Sequence, residues 1–230
     1  MVAKPTRRSR PCRRHDLSAD AFWSGVTRLG EIGIVVPLLL VAAAGVGWST
    51  RRVNRVLSLL FPVVVAALVV TASKVAFLGF GWGIASIDFT GMSGHAMFAA
   101  AIYPLLAATF VPAESARQAV VLAVSLVVVA LVAISRVVVG AHSTSEVLLG
   151  SVVGLLASTA VVPSLRRVGA PTLSLAWLAP ALAWLLMSLP APPVIASHDL
   201  VTRLALAIAG RDRPFVRSDL HRGFERRGLE

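Results

Sequence analysis

Apolar residues in this chain fall in long uninterrupted blocks separated by short polar breaks, not in the alternating or striped patterns of a soluble domain. The blocks cover residues 32–49, 56–72, 96–111, 118–134, 147–165 and 173–189, the second running on toward Leu78 and the fourth toward Val139. Each approaches the roughly 20 residues that cross a bilayer as a helix, the one open structure that satisfies its own backbone in hydrocarbon. The pattern predicts an all-α fold, an integral membrane bundle of six transmembrane helices. Pro37, Pro62, Pro104 and Pro180 lie inside blocks, where kinks are tolerated. The breaks are polar: Arg51, Arg52 and Arg55, then residues 112–117, then 166–171.

Composition agrees. Of 230 residues, 57% are hydrophobic and only 14% charged, with a mean hydropathy of +0.80. So few charges do not cover a soluble surface. The net charge of +11 sits almost wholly outside the blocks, which points to topology and headgroup contact. There is no aromatic-basic cluster or motif of the kind that binds nucleic acid, so no nucleic-acid partner is expected. The single cysteine, Cys12, excludes an internal disulfide and a multi-cysteine metal site. We therefore divide the chain into a basic disordered tail at 1–20, a six-helix membrane domain at 21–190, and an interfacial helix with a basic tail at 191–230.

With six crossings, segments 73–95 and 135–146 emerge on the same side, and they hold nearly all the reactive side chains of the membrane domain. The first contains Lys74, the glycine-rich stretch 79–83, and Thr90-Gly91-Met92-Ser93-Gly94-His95. The second reads Ser135-Arg136, five residues, His142, three residues, Glu146. Ionisable residues at membrane helix ends are functional by default. Arg136 offers a planar fork for two phosphate oxygens, and Lys74 a point charge. Ser93 and Gly94 open the third block, where free N–H groups and the positive helix end favour an anion. Two histidines, His95 and His142, supply a nucleophile or base and a general acid near neutral pH. Glu146, one helical turn after His142, can reach its imidazole. Ser143 and Glu146 also form a capping-box pattern.

These residues resemble the type 2 phosphatidic acid phosphatase family, which shares its catalytic core with vanadium haloperoxidases. The family's third motif is matched at Ser135, Arg136 and His142, with Glu146 standing where an Asp is usual. The second is matched at Ser93, Gly94 and His95, with Met92 in place of Pro. The first is matched only at Lys74; Gly81 and Trp82 occupy its Arg-Pro positions.

The resemblance implies a membrane lipid phosphatase or pyrophosphatase. His142 would attack phosphorus to form a phosphohistidine, and His95 would protonate the leaving oxygen and then activate water. Glu146 would orient His142. Lys74, Ser93, Gly94 and Arg136 would hold the phosphate. Neither metal nor organic cofactor is expected, the partners being a lipid phosphate and the bilayer. The resemblance also implies a cell-membrane protein with its site at the outer face. A lipid phosphotransferase and a non-catalytic lipid-binding protein remain alternatives. On the sequence, Asp88 reads as a solvated loop charge and residues 79–83 as a flexible turn. His15, His198 and His221 lie in tails with no assigned chemistry. Trp23, Trp48 and Trp82 read as interface anchors.

Overall fold

The computed structural model describes residues 17–111, 115–167, 175–188 and 197–227. They form nine α-helices: α1 Leu17–Arg28, α2 Ile32–Thr50, α3 Val53–Phe80, α4 Gly94–Phe110, α5 Ala116–Val138, α6 Thr144–Arg167, α7 Leu178–Ser188, α8 Ser197–Ala209 and α9 Arg217–Arg227. Short 3-10 turns lie at Ala85–Ile87 and Leu175–Trp177. No β-strand occurs among the described residues; a single antiparallel bridge joins Ile84 to Phe89.

Helix α4 is the centre of the bundle. Its Ala96, Ala99, Ala100, Ala101, Ile102 and Leu105 are inaccessible to solvent, and α2, α3, α5 and α6 pack around it. The run of small residues is what lets neighbouring backbones come close, the usual device where lipid tails supply no hydrophobic drive. The closest pairing is α4 with α6. A Cβ at Gly150 would sit 2.5 Å from the Ser93 carbonyl oxygen, so that crossing exists only because α6 carries glycine there.

The outer faces of the bundle are apolar. Phe61, Val64 and Leu68 on α3, and Val120, Val124 and Val127 on α5, are more than half exposed. Such surfaces are stable in hydrocarbon and not in water. Four helical stretches, Ala19–Thr50, Val53–Phe80, Ala116–Val138 and Thr144–Val161, are long and apolar enough to cross a membrane; Gly94–Phe110 is a shorter apolar helix among them. The protein is thus a helical membrane protein. Pro37, Pro62 and Pro104 all lie inside helices, as expected.

Three elements depart from the expected outline. A helix begins at Leu17, within the segment read as tail, and its Thr27 reaches the third motif. The sixth apolar block is represented by a 3-10 turn and the 11 residues of α7, docked on α2 through a Trp184 Nε1 donor to the Gly33 carbonyl at 3.1 Å. Helix α8 lies against α3, where a Cβ at Gly79 would meet the Ala205 carbonyl at 3.0 Å. Residues 1–16, including Cys12 and His15, lie outside the described residues.

Candidate active site

Helix α3 has 28 residues, about 42 Å at 1.5 Å per residue, and outlasts a hydrocarbon core of about 30 Å. Its last two turns, including Lys74, form the end of the helix at which the site is built. The chain turns there at Gly81, φ 73°, and folds back on itself. Gly91, at φ 138°, lies so close to Lys74 that a Cβ would be 3.1 Å from the lysine Cα. Met92 N–H donates to Ser73 Oγ at 3.0 Å. The second motif is thereby pinned beside Lys74 before α4 begins.

Ser93 caps α4 through a 3.5 Å bond from Ala96 N–H, and its own N–H donates to the Glu146 carbonyl at 3.0 Å. The hydroxyl is buried. Gly94 opens the helix with no atom within 4 Å of where a Cβ would stand, an open space above the helix N-terminus.

The five-residue spacer between Arg136 and His142 is a tight reversal. The Arg136 carbonyl accepts from both Ala141 N–H and His142 N–H at 3.1 Å, around Gly140 at φ 68°. This returns His142 to the level of Arg136. Ser135 is buried and bonds to Thr27 Oγ1 at 2.9 Å, and the Arg136 Nη1 donates to the same hydroxyl at 3.1 Å. The Arg136 Nε is buried and has no partner among the described residues.

Glu146 is completely buried. Its Oε2 lies 2.7 Å from His142 Nδ1 and accepts from Ser143 N–H at 3.2 Å, while Ser143 Oγ accepts from Glu146 N–H at 3.4 Å. Both sequence readings of Glu146, imidazole partner and capping box, are realised together. Its Oε1 accepts from Thr90 N–H at 2.7 Å and Thr90 Oγ1 at 2.5 Å. The Arg217 Nη2 lies 2.9 Å from each carboxylate oxygen. Burial pushes the His142 imidazole below its ordinary 6.5; the Glu146 hydrogen bond opposes the shift, and Lys74 and Arg136 reinforce it. The ring is therefore neutral at pH 7.

Lys74, Gly94, His95, Arg136, His142 and Glu146 all line one cavity of about 650 Å³. Ser93 lies beneath its floor as a cap. The far wall is apolar, from Ala67 and Val70 of α3 to Val201 and Leu204 of α8. Three residues without a sequence-assigned role belong to the same region. His198 and Arg217 line the cavity, and Asp88 pairs with Arg217 Nη1 and with His221 Nε2, the latter at 2.9 Å. Asp88 is thus a buttress rather than a free loop charge. On the sequence Arg217 is only one charge of a basic tail.

His95, His142, Lys74, Arg136 and the start of α4 thus surround one cavity at one end of a helical membrane bundle. A sequence model of the PAP2 superfamily matches residues 55–169, the stretch that contains all three motif positions. The chain belongs to the PAP2 superfamily. It is 33% identical over 217 residues to a 22.5 kDa protein of the cps region of Klebsiella pneumoniae, covering 87% of this chain and 98% of that one. Its fold is similar to the crystal structure of the first transmembrane PAP2-type phosphatidylglycerolphosphate phosphatase from Bacillus subtilis. The TM-score is 0.55 at 24% identity, over 67% of this chain and 80% of that one.

Proposed function

We propose that this protein is a membrane lipid phosphatase or pyrophosphatase working through a phosphohistidine on His142. The observation that carries the reading is the cavity shared by His142, His95, Lys74 and Arg136, with Glu146 on His142 Nδ1. Because Nδ1 is taken, Nε2 is the nitrogen left to attack. A P–N bond forms as the P–O bond to the lipid breaks, and the departing oxygen takes a proton from His95. Water then attacks the phosphohistidine, His95 accepts its proton, the P–N bond breaks, and inorganic phosphate leaves. Glu146 fixes the tautomer and balances the positive charge on the phosphorylated ring.

Lys74, Arg136 and the N–H groups after Ser93 and Gly94 balance charge on the phosphate oxygens. The unpartnered Arg136 Nε is a donor in reserve for that anion. The apolar wall between α3 and α8 suits an acyl or prenyl chain, which favours a lipid phosphate over a soluble one. The Bacillus neighbour, a phosphatidylglycerolphosphate phosphatase, supports the same substrate class. We retain six crossings, α7 forming part of the sixth, and place the site at the outer face by the family's arrangement. Reporter fusions in the 112–117 loop test that topology.

The deciding experiment is phosphate release by the purified protein in detergent from phosphatidic acid, phosphatidylglycerol phosphate and polyprenyl diphosphate, with His142→Ala as control. Release by wild type and none by the variant is the expected result. Transfer to an added alcohol in preference to water makes it a phosphotransferase. No release from any lipid, with the variant indistinguishable from wild type, leaves a lipid-binding protein.

A further inference from the structure

The three glycines of the 79–83 stretch each seat a different piece of the C-terminal segment. A Cβ at Gly79 would meet the Ala205 carbonyl of α8 at 3.0 Å and one at Gly81 the Phe215 ring at 3.1 Å, while one at Gly83 would meet the Phe89 carbonyl at 2.7 Å and the Leu220 side chain of α9 at 3.1 Å. Phe215 N–H also donates to the Leu78 carbonyl at 2.9 Å, and Arg211 stacks on the Phe215 ring at 4.2 Å. Asp219 accepts from Val216 N–H at 3.0 Å, fixing the start of α9. Residues 79–83 are therefore a docking seat. What it docks is the turn that ends in Arg217.

From this turn the Arg217 guanidinium enters the cavity. Its Nη2 lies 2.9 Å from both oxygens of Glu146 and 3.3 Å from Thr90 Oγ1, while Nη1 bonds Asp88. Position 81, where the family's first motif carries arginine, is a left-handed glycine pressed against Phe215, two residues before Arg217. A cation from the C-terminal segment thus stands in the region where the first motif lacks its arginine.

Resting on the phosphatase reading above, we propose that Arg217 is a positioning residue of the active site: it clamps the Glu146 carboxylate against His142 and tempers the pull of that carboxylate on the imidazole. The groups facing His142 are Glu146 on α6, Lys74 on α3, His95 on α4 and Arg136 on α5, with Arg217 reaching it through Glu146. With Arg217 in place the carboxylate is shared, so the free imidazole stays neutral and the phosphorylated ring is a better leaving group. Without it, Glu146 serves His142 alone and favours the imidazolium.

The test uses the full chain in detergent. In Arg217→Gln the acid limb of kcat/KM is expected to move up by roughly one pH unit, with Arg217→Lys returning it most of the way. Millimolar guanidinium chloride is expected to raise the rate of Arg217→Ala and not that of His142→Ala. The His142 titration, followed by ¹⁵N-histidine NMR on wild type and Arg217→Lys as well as Arg217→Gln, needs no turnover. If wild type shows no His142-dependent release, the phosphatase reading falls, and the NMR titration alone decides the role of Arg217. If the variants and wild type share one acid limb and one His142 titration, Arg217 is only a surface tether and the inference is overturned.

Discussion

His142 Nδ1 lies 2.7 Å from Oε2 of Glu146, and Glu146 itself is held by donors from Thr90, Ser143 and Arg217. A glutamate where the family has aspartate thus still reaches the imidazole. Glu146→Gln keeps the shape and removes the charge. We expect kcat to fall by about 10²- to 10⁴-fold with KM little changed, since charge on the ring develops only after attack. Steady-state kinetics on the lipid phosphate found in the panel provide the check; a loss confined to KM would contradict the orienting role.

The acid side of the pH profile follows from His142. Attack needs the neutral ring, and burial holds its pKa below 6.5. Activity is therefore expected to persist below pH 6.5 and to be lost as pH falls through the lowered value. Stability carries the same sign. In the window between the folded pKa and 6.5 the unfolded chain binds more protons, so the His142 contribution rises with pH across that window and is flat above it. Thermal unfolding of wild type and His142→Asn through this range should show a shallower slope in the variant; identical slopes would mean the ring is not buried neutral.

The parts of this architecture readable in the sequence were those written locally. Five of the six apolar blocks coincide with helices α2 to α6, because length and apolarity alone decide a bilayer crossing. Ser93, His95, Arg136 and His142 stood out because polar groups at membrane helix ends are costly unless used. The C-terminal contribution was hidden for a physical reason. Arg217 meets Glu146 across 71 residues and Asp88 across 129, and no periodicity encodes such a meeting. Gly79, Gly81 and Gly83 read as a loose turn because glycine signals backbone freedom and close approach with the same letter. Here they mean approach. Helix α1 escaped notice because its polar face, with Thr27 on Ser135 and Arg136, breaks the apolar pattern.

Packing between α4 and α6 makes a separate prediction. Gly150 has the Ser93 carbonyl 2.5 Å and the Ser93 nitrogen 3.2 Å from its would-be Cβ. Gly150→Val should push α6 off the second motif, costing about 1–3 kcal/mol and lowering Tm in detergent. It should also depress kcat, because Ser93 N–H and Glu146 share a bond through that contact. Gly25→Val, in a helix with nothing within 4 Å, is the matched control and should not lower Tm. Equal Tm values for the two variants would refute the close-packed crossing.

The apolar wall predicts chain-length selectivity. Leu204 of α8 lines the cavity together with Ala67 and Val70 of α3 and is 44% exposed. Leu204→Trp adds bulk where an acyl chain would lie, but leaves Lys74, Arg136 and both histidines untouched. Loss of a few methylenes of contact is worth about tenfold or more in kcat/KM. The variant should therefore lose about that much on a long-chain lipid phosphate, mostly in KM. A short-chain ester, whose tail ends before α8, should react as with wild type. Comparing the two substrates on one preparation cancels differences in folded fraction. An equal loss on both would mean that α8 supports the phosphate site only and that the lipid lies elsewhere; an equal rate on both would mean that the chain never meets Leu204.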